Sequence, residues 1–121
     1  MSWRYVQSTG ELSHNGRRRA TGYSGYGTGK NNPADEAVHE FGPIPRGHYR
    51  LGHPHASSNT GPFVMDLTPV GHDALGRRFL EIHGDSRTHP GRASGGCIVV
   101  SPLEIRHRIW DSGDHDLDVV R

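Results

Sequence analysis

The chain has 121 residues, a net charge of +1 and 31% hydrophobic residues, which fits one small domain spanning 1–121. No apolar run approaches the length of a membrane span, the N-terminus lacks the apolar core of a signal peptide, and the near-neutral charge gives no general attraction to nucleic acid. A single cysteine excludes an internal disulfide framework and a multi-cysteine zinc centre, and 25 glycines and prolines favour turns and short strands over a helical bundle.

In chain order, Trp3 to Leu12 reads as two short strands around the turn Ser8-Thr9-Gly10, and Asn15-Gly16 marks a further turn. Arg17-Arg18-Arg19 is expected in a solvated loop, with an anion patch as the alternative. Tyr23 to Lys30 resembles a phosphate loop only in its glycines. Asn31 stands where such a loop needs Ser or Thr, so the stretch reads as a Gly-rich strand or bend with two packed tyrosines. Asn32 is placed to cap a short helix beginning at Pro33, with Asp35 and Glu36 in its first turn. Pro43 and Pro45 hold the segment from Gly42 to Gly47 extended. Strands are expected over His48–Leu51 and Phe63–Leu67, with the stretch containing His53, Pro54, His55, Ser57 and Asn59 as a loop.

Further strands are expected over Phe79–His83 and Cys97–Val100, the second an apolar, β-branched run suited to burial. Ser101, Pro102 and Glu104 form a capping box before a helix with Ile105 and Ile109 on one face. Gly113 ends it, and Leu117–Val120 supplies a last strand. The expectation is a mainly β domain with one or two short helices. Thirteen of the fourteen basic residues are arginine, a bias the sequence does not explain.

The chemistry concentrates between Ile82 and Ile98. Thirteen residues, Gly84 to Gly96, separate His83 from Cys97, and loops of that length are often functional. Antiparallel pairing of the two flanking strands would bring His83 beside Cys97. A thiol needs a base to act as a nucleophile at neutral pH, and a nearby imidazole lowers its pKa. Gly95-Gly96 leaves room for a substrate, and the amides of Gly96 and Cys97 are candidate donors to an oxyanion. Ser94 is placed to hold the turn or donate a hydrogen bond. The competing view of Cys97 is a small buried hydrophobe opening an Ile-Val-Val strand.

The run Ile82-His83-Gly84-Asp85, then Pro90-Gly91, then Ala93-Ser94-Gly95-Gly96-Cys97-Ile98 resembles the His-Gly-x-Ser-x-Gly-Cys signature of L,D-transpeptidases of the YkuD type. It is more similar still to the short antibacterial effectors of that kind delivered by type VI secretion. The likeness continues in Trp3 and Tyr5, in Tyr23 through Pro33 and in Gly42 through Tyr49. It implies a YkuD-like β-sandwich in which Cys97 is the acyl-forming nucleophile, His83 the base and the Gly84 carbonyl the group that orients the imidazole. It also implies peptidoglycan stem peptides as substrate, with terminal D-alanine removed from tetrapeptides or exchanged for another D-amino acid. No cofactor or metal is called for.

Many enzymes of that family carry a second histidine where this chain has Gly95. His89 is a candidate for its supporting role or for the base itself. Arg106 is a candidate for binding a substrate carboxylate, set against a structural ion pair, and Asp85 for binding substrate or ordering the loop. Trp110 reads as packing. An effector of this type resides in the cytoplasm of its producer, acts in the periplasm of a target bacterium, and is expected to be a monomer with a cognate immunity protein and a secretion carrier. The rival readings are a housekeeping enzyme forming wall crosslinks, a non-catalytic peptidoglycan-binding domain, and a metal-binding module built on the ten histidines, His53, His55, His107 and His115 among them.

Overall fold

The computed structural model describes residues 2–121. It contains ten strands: β1 (Trp3–Val6), β2 (Glu11–His14), β3 (Arg17–Thr21), β4 (Tyr23–Ser24), β5 (Gly47–Leu51), β6 (His55–Ser57), β7 (Gly61–Val70), β8 (Glu81–His83), β9 (Ile98–Val99) and β10 (Asp116–Val120). One α-helix, α1 (Leu103–Asp111), lies between β9 and β10. The mainly β expectation holds.

The strands form one hydrogen-bonded path in the order β3-β2-β1-β10-β5-β7-β8-β9-β4, with β6 added on β7. The two ends of that path, β3 and β4, are consecutive in the chain, with only Gly22 between them. The sheet must therefore curl until its edges meet. Gly22 marks the meeting point: its N–H donates to Gly10 O at 2.8 Å, and a Cβ there would run into the Val99 carbonyl. Curling explains why residues from both halves share one core, with Trp3, Tyr5, Leu12, Tyr49 and Leu117 in contact with Met65, Ile82, Ile98 and Val100. Alternation along β1 and β10 supplies that inward face, as the period of a strand requires.

Several local expectations change. Arg17-Arg18-Arg19 lies on β3 rather than in a loop, because Asn15-Gly16 already closes the hairpin with β2 and the arginines run down its outer strand. His55–Ser57 forms the short strand β6 against the start of β7. The strand predicted from Phe79 begins only at Glu81. Phe79 has a φ of 58° and is 90% exposed, a conformation outside the strand region. Asn32 does cap a turn at Pro33, accepting from Ala34 N–H, but the helix is a single 3₁₀ turn ending at Asp35. In α1 the cap falls on Pro102 without a side-chain bond, so the Ser101 box does not form. The Ser101 carbonyl is instead taken up by Arg106.

The pairing of β8 and β9 is parallel, with Ile82 opposite Ile98 and His83 opposite Val99. The antiparallel expectation is thus overturned. Parallel neighbours need a crossover of a dozen or more residues, and the fourteen residues from Gly84 to Cys97 provide it.

Candidate functional site

β8 ends at His83 and the crossover returns to the sheet at Cys97, one residue before β9. In the parallel register Cys97 falls level with Glu81. Glu81 and His83, two apart on one strand, project to the same face. Sγ of Cys97, a ring nitrogen of His83 and a carboxylate oxygen of Glu81 lie within 4.8 Å of one another. The expected Cys–His proximity is therefore present, through a different pairing.

His83 is 2% exposed, and its Nδ1 lies 2.7 Å from Gly84 O. A carbonyl only accepts, so the neutral ring carries its proton on Nδ1 and leaves the Nε2 lone pair available. Gly84 thus takes the orienting position expected of it. A Cβ on Gly84 would lie 2.9 Å from Arg106 Nη1, so a side chain here would have to push the guanidinium off the carbonyls it binds.

Cys97 donates to Phe79 O at 3.3 Å. Burial pushes its thiol up to about 12; the Glu81 amide and Arg77 act against that shift, while the charges of Glu81 and Asp66 add to it. Desolvation disfavours the thiolate and the nearest full charges are largely negative, so the shift runs opposite to the acidification expected from a neighbouring histidine.

Ser94, 2% exposed, fixes the turn before Cys97. Its hydroxyl donates to Cys97 O at 2.6 Å and accepts from Gly25 N–H at 2.9 Å and from Gly96 N–H at 3.0 Å. The Gly96 amide is therefore committed and does not face a substrate. The Cys97 amide makes no hydrogen bond among the described residues and remains the candidate oxyanion donor of the pair.

Asp85 orders the crossover. It accepts from Tyr23 OH at 2.6 Å, from Ser86 N–H at 2.8 Å and from Gly91 N–H. Burial raises its pKa, but those bonds and the Lys30 charge outweigh it and hold the carboxyl below the usual range. Tyr23 is thus a working part of the loop, also accepting from Ala93 N–H and lying under Lys30. Tyr26 is 44% exposed rather than packed.

Beside His83 opens a cleft of about 1260 Å³, lined also by Asp85, Arg87, His89, Arg92 and Arg106. Asp85 is its one carboxylate against three arginines, so the cleft favours anionic groups. His89 sits on the exposed rim, bonded to Thr88 Oγ1, and is not part of the Glu81–His83–Cys97 group. Arg106 is 3% exposed and forms no ion pair among the described residues. It binds the carbonyls of Val100, Ser101, Pro62 and Phe63, joining the ends of β7 and β9 to α1.

Sequence reasoning missed two residues. Glu81 was readable, since it stands two positions before His83 on the same strand. Arg77 carried no local signal. It is 6% exposed and donates to the carbonyls of Glu36, Pro43, Gly42 and Gly95, tying the turn before Cys97 to the Gly42–Pro43 segment. These two buried forks account for part of the arginine bias, because a planar guanidinium spans several carbonyls where an ammonium cannot.

The histidines outside the site largely pack on other rings. His115 stacks on Trp110 at 3.7 Å, His53 meets its edge, and His107 lies on Phe63. His55 pairs with Asp66 at 3.0 Å. Among the described residues, two groups have donor spacing compatible with a metal, Glu81–His83–Cys97 and His55–Asp66–Glu81, and they share Glu81.

The family model described as the Tlde1 domain matches residues 18–120. No curated protein and no solved structure matches the chain. The match covers nearly all of the hairpin strand β3, the whole crossover with Cys97 and β10, and the chain belongs to that family, one of type VI secretion effector domains.

Proposed function

We propose that this Tlde1 domain is a cysteine acyl-transfer enzyme acting on peptidoglycan stem peptides, an antibacterial effector that removes the terminal D-alanine of tetrapeptide stems or exchanges it for another D-amino acid. The observation that carries the reading is the sulfur of Cys97 within 4.8 Å of a His83 nitrogen, with that ring fixed by Gly84 O beside an arginine-lined cleft.

The resting thiol is neutral, so His83 takes the proton as sulfur attacks the carbonyl preceding D-alanine. A carbon–sulfur bond forms, and the Cys97 amide receives the oxyanion. The carbon–nitrogen bond then breaks, and His83 returns its proton to the departing amine. Water or an incoming amine next attacks the thioester, losing a proton to His83, and the thiol is restored. The stem carries carboxylates, which suit Arg87 and Arg92 in the cleft. Loss of donor stems weakens the wall of a competitor, and a producer needs an immunity protein against its own kind.

The test is a digest of tetrapeptide-rich muropeptides with wild type and Cys97→Ala, read by mass spectrometry. Terminal alanine is lost or replaced with wild type alone. Intact tetrapeptide after incubation with folded wild type, or turnover by Cys97→Ala, refutes the assignment.

A further inference from the structure

Glu81 is half-buried, its carboxylate accepts from Thr60 Oγ1 at 3.3 Å, and it has no ion-pair partner among the described residues. It nevertheless lies within 4.8 Å of both Cys97 Sγ and a His83 nitrogen. A negative charge there works against a thiolate, so its position is a cost to the nucleophile considered alone. Behind it stands a second carboxylate, Asp66, already paired with His55. The groups nearest Cys97 and His83 thus include two carboxylates, while three arginines line the cleft that His83 borders.

We propose that Glu81 is the specificity-determining residue for the second half-reaction, holding the ammonium group of an incoming amino acid between its carboxylate and His83. One nitrogen can reach both groups. A nitrogen placed about 2.8 Å from each of two atoms up to 4.8 Å apart makes an angle of up to about 120° between them, close to that of a tetrahedral ammonium. One N–H then donates to Glu81 and another to Nε2 of His83, whose Nδ1 is held by Gly84 O. Transfer of the second proton to Nε2 frees a lone pair on nitrogen, and the amine turns it to the thioester on Cys97. The new carbon–nitrogen bond forms and the carbon–sulfur bond breaks; the thiolate recovers the proton from the imidazolium, and the excess proton on the new amide nitrogen leaves through the Glu81 carboxylate to water. Water can occupy the same place but carries no charge, so the carboxylate selects for the amine over water.

This inference rests on the acyl-transfer reading, and one digest separates their failures. Tetrapeptide muropeptides are incubated with increasing D-methionine, and exchanged and hydrolysed products are counted for wild type, Glu81→Gln and Glu81→Asp. The isosteric Glu81→Gln lowers the ratio of exchange to hydrolysis by roughly tenfold or more and raises KM for D-methionine, as expected for loss of a charge-assisted bond. Glu81→Asp, which keeps the charge, recovers part of the ratio. A ratio unchanged in Glu81→Gln, including an equal fall of both products, overturns the role, as does a wild type that only hydrolyses at every D-methionine concentration. A wild type that leaves tetrapeptide untouched instead overturns the acyl-transfer reading itself.

Discussion

Replacing Arg77 by methionine removes a buried fork while keeping most of its volume. Four carbonyls lose their donor, those of Glu36, Gly42, Pro43 and Gly95. Hydrogen bonds from a charged donor contribute about 1.5–3 kcal/mol each, but the four share one cation and water reaches some of the vacated acceptors, so their sum overstates the loss. Breaking a buried charged network typically costs about 3–5 kcal/mol, a large part of the roughly 5–15 kcal/mol that holds a domain together. With an unfolding entropy of about 0.25 kcal/mol/K for 121 residues, the midpoint falls by about 12–20 °C. Arg77→Lys keeps the charge but not the fork and falls between. Circular dichroism melts measure the shift. Iodoacetamide labelling below the melt supplies a second reading, since Arg77 opposes the rise of the Cys97 thiol and its removal slows labelling. A methionine variant melting within about 3 °C of wild type would refute the argument that this guanidinium fastens the nucleophile turn.

Ser94→Ala strands a carbonyl and two amides around the turn, and is expected to destabilise by about 2–4 kcal/mol in urea titrations and to lower turnover in the muropeptide digest, because the Gly96–Cys97 backbone loses its anchor. Full activity with unchanged stability would show that the turn holds without the hydroxyl. At the far side of the sheet, His48 has its pKa raised by Asp118 first and Asp116 next, against burial. A raised histidine pKa gives stability that is complete below about 6.5 and is lost as pH rises through the folded value. His48→Gln is expected to flatten that decline in urea titrations across the window, and a wild type equally stable on both sides of it would refute the coupling.

Much of the fold could be read ahead because its signals are local. Asn15-Gly16 closes a hairpin, and alternation through Trp3 and Tyr5 marks a half-buried strand. The apolar run at Ile98–Val100 is buried as its composition implies. The pairing of β8 with β9 could not be read from the strands themselves, which are three and two residues long. The crossover length held the clue: a hairpin closes in a few residues, whereas a parallel return requires about a dozen. Phe79 failed for a different reason. Its apolar side chain continues the strand pattern, yet its backbone is left-handed and its ring faces solvent while its carbonyl meets Cys97. Arg77 and Arg106 were opaque because carbonyls, which every residue carries, are their partners, so no complementary acid appears in the sequence.

The neutral thiol also decides how the proposed chemistry should respond to the solvent. In a site with a preformed thiolate–imidazolium pair, the proton has moved before the substrate arrives, and acylation transfers it only onward to the departing amine. Here burial together with the charges of Glu81 and Asp66 keeps the proton on sulfur, and the lone pair of His83 is held ready by Gly84 O. The proton must therefore move as the carbon–sulfur bond forms, which makes the base part of the rate-determining barrier. Acylation, followed as release of D-alanine in single turnovers, is expected to slow in heavy water, and His83→Ala to regain part of its activity with added imidazole. Labelling of Cys97 in the absence of substrate is expected to climb steadily through pH 9 and beyond, as a thiol pushed up to about 12 requires. Labelling already at its plateau near neutral pH would mean that the thiolate is preformed and that His83 takes no proton from sulfur during the attack.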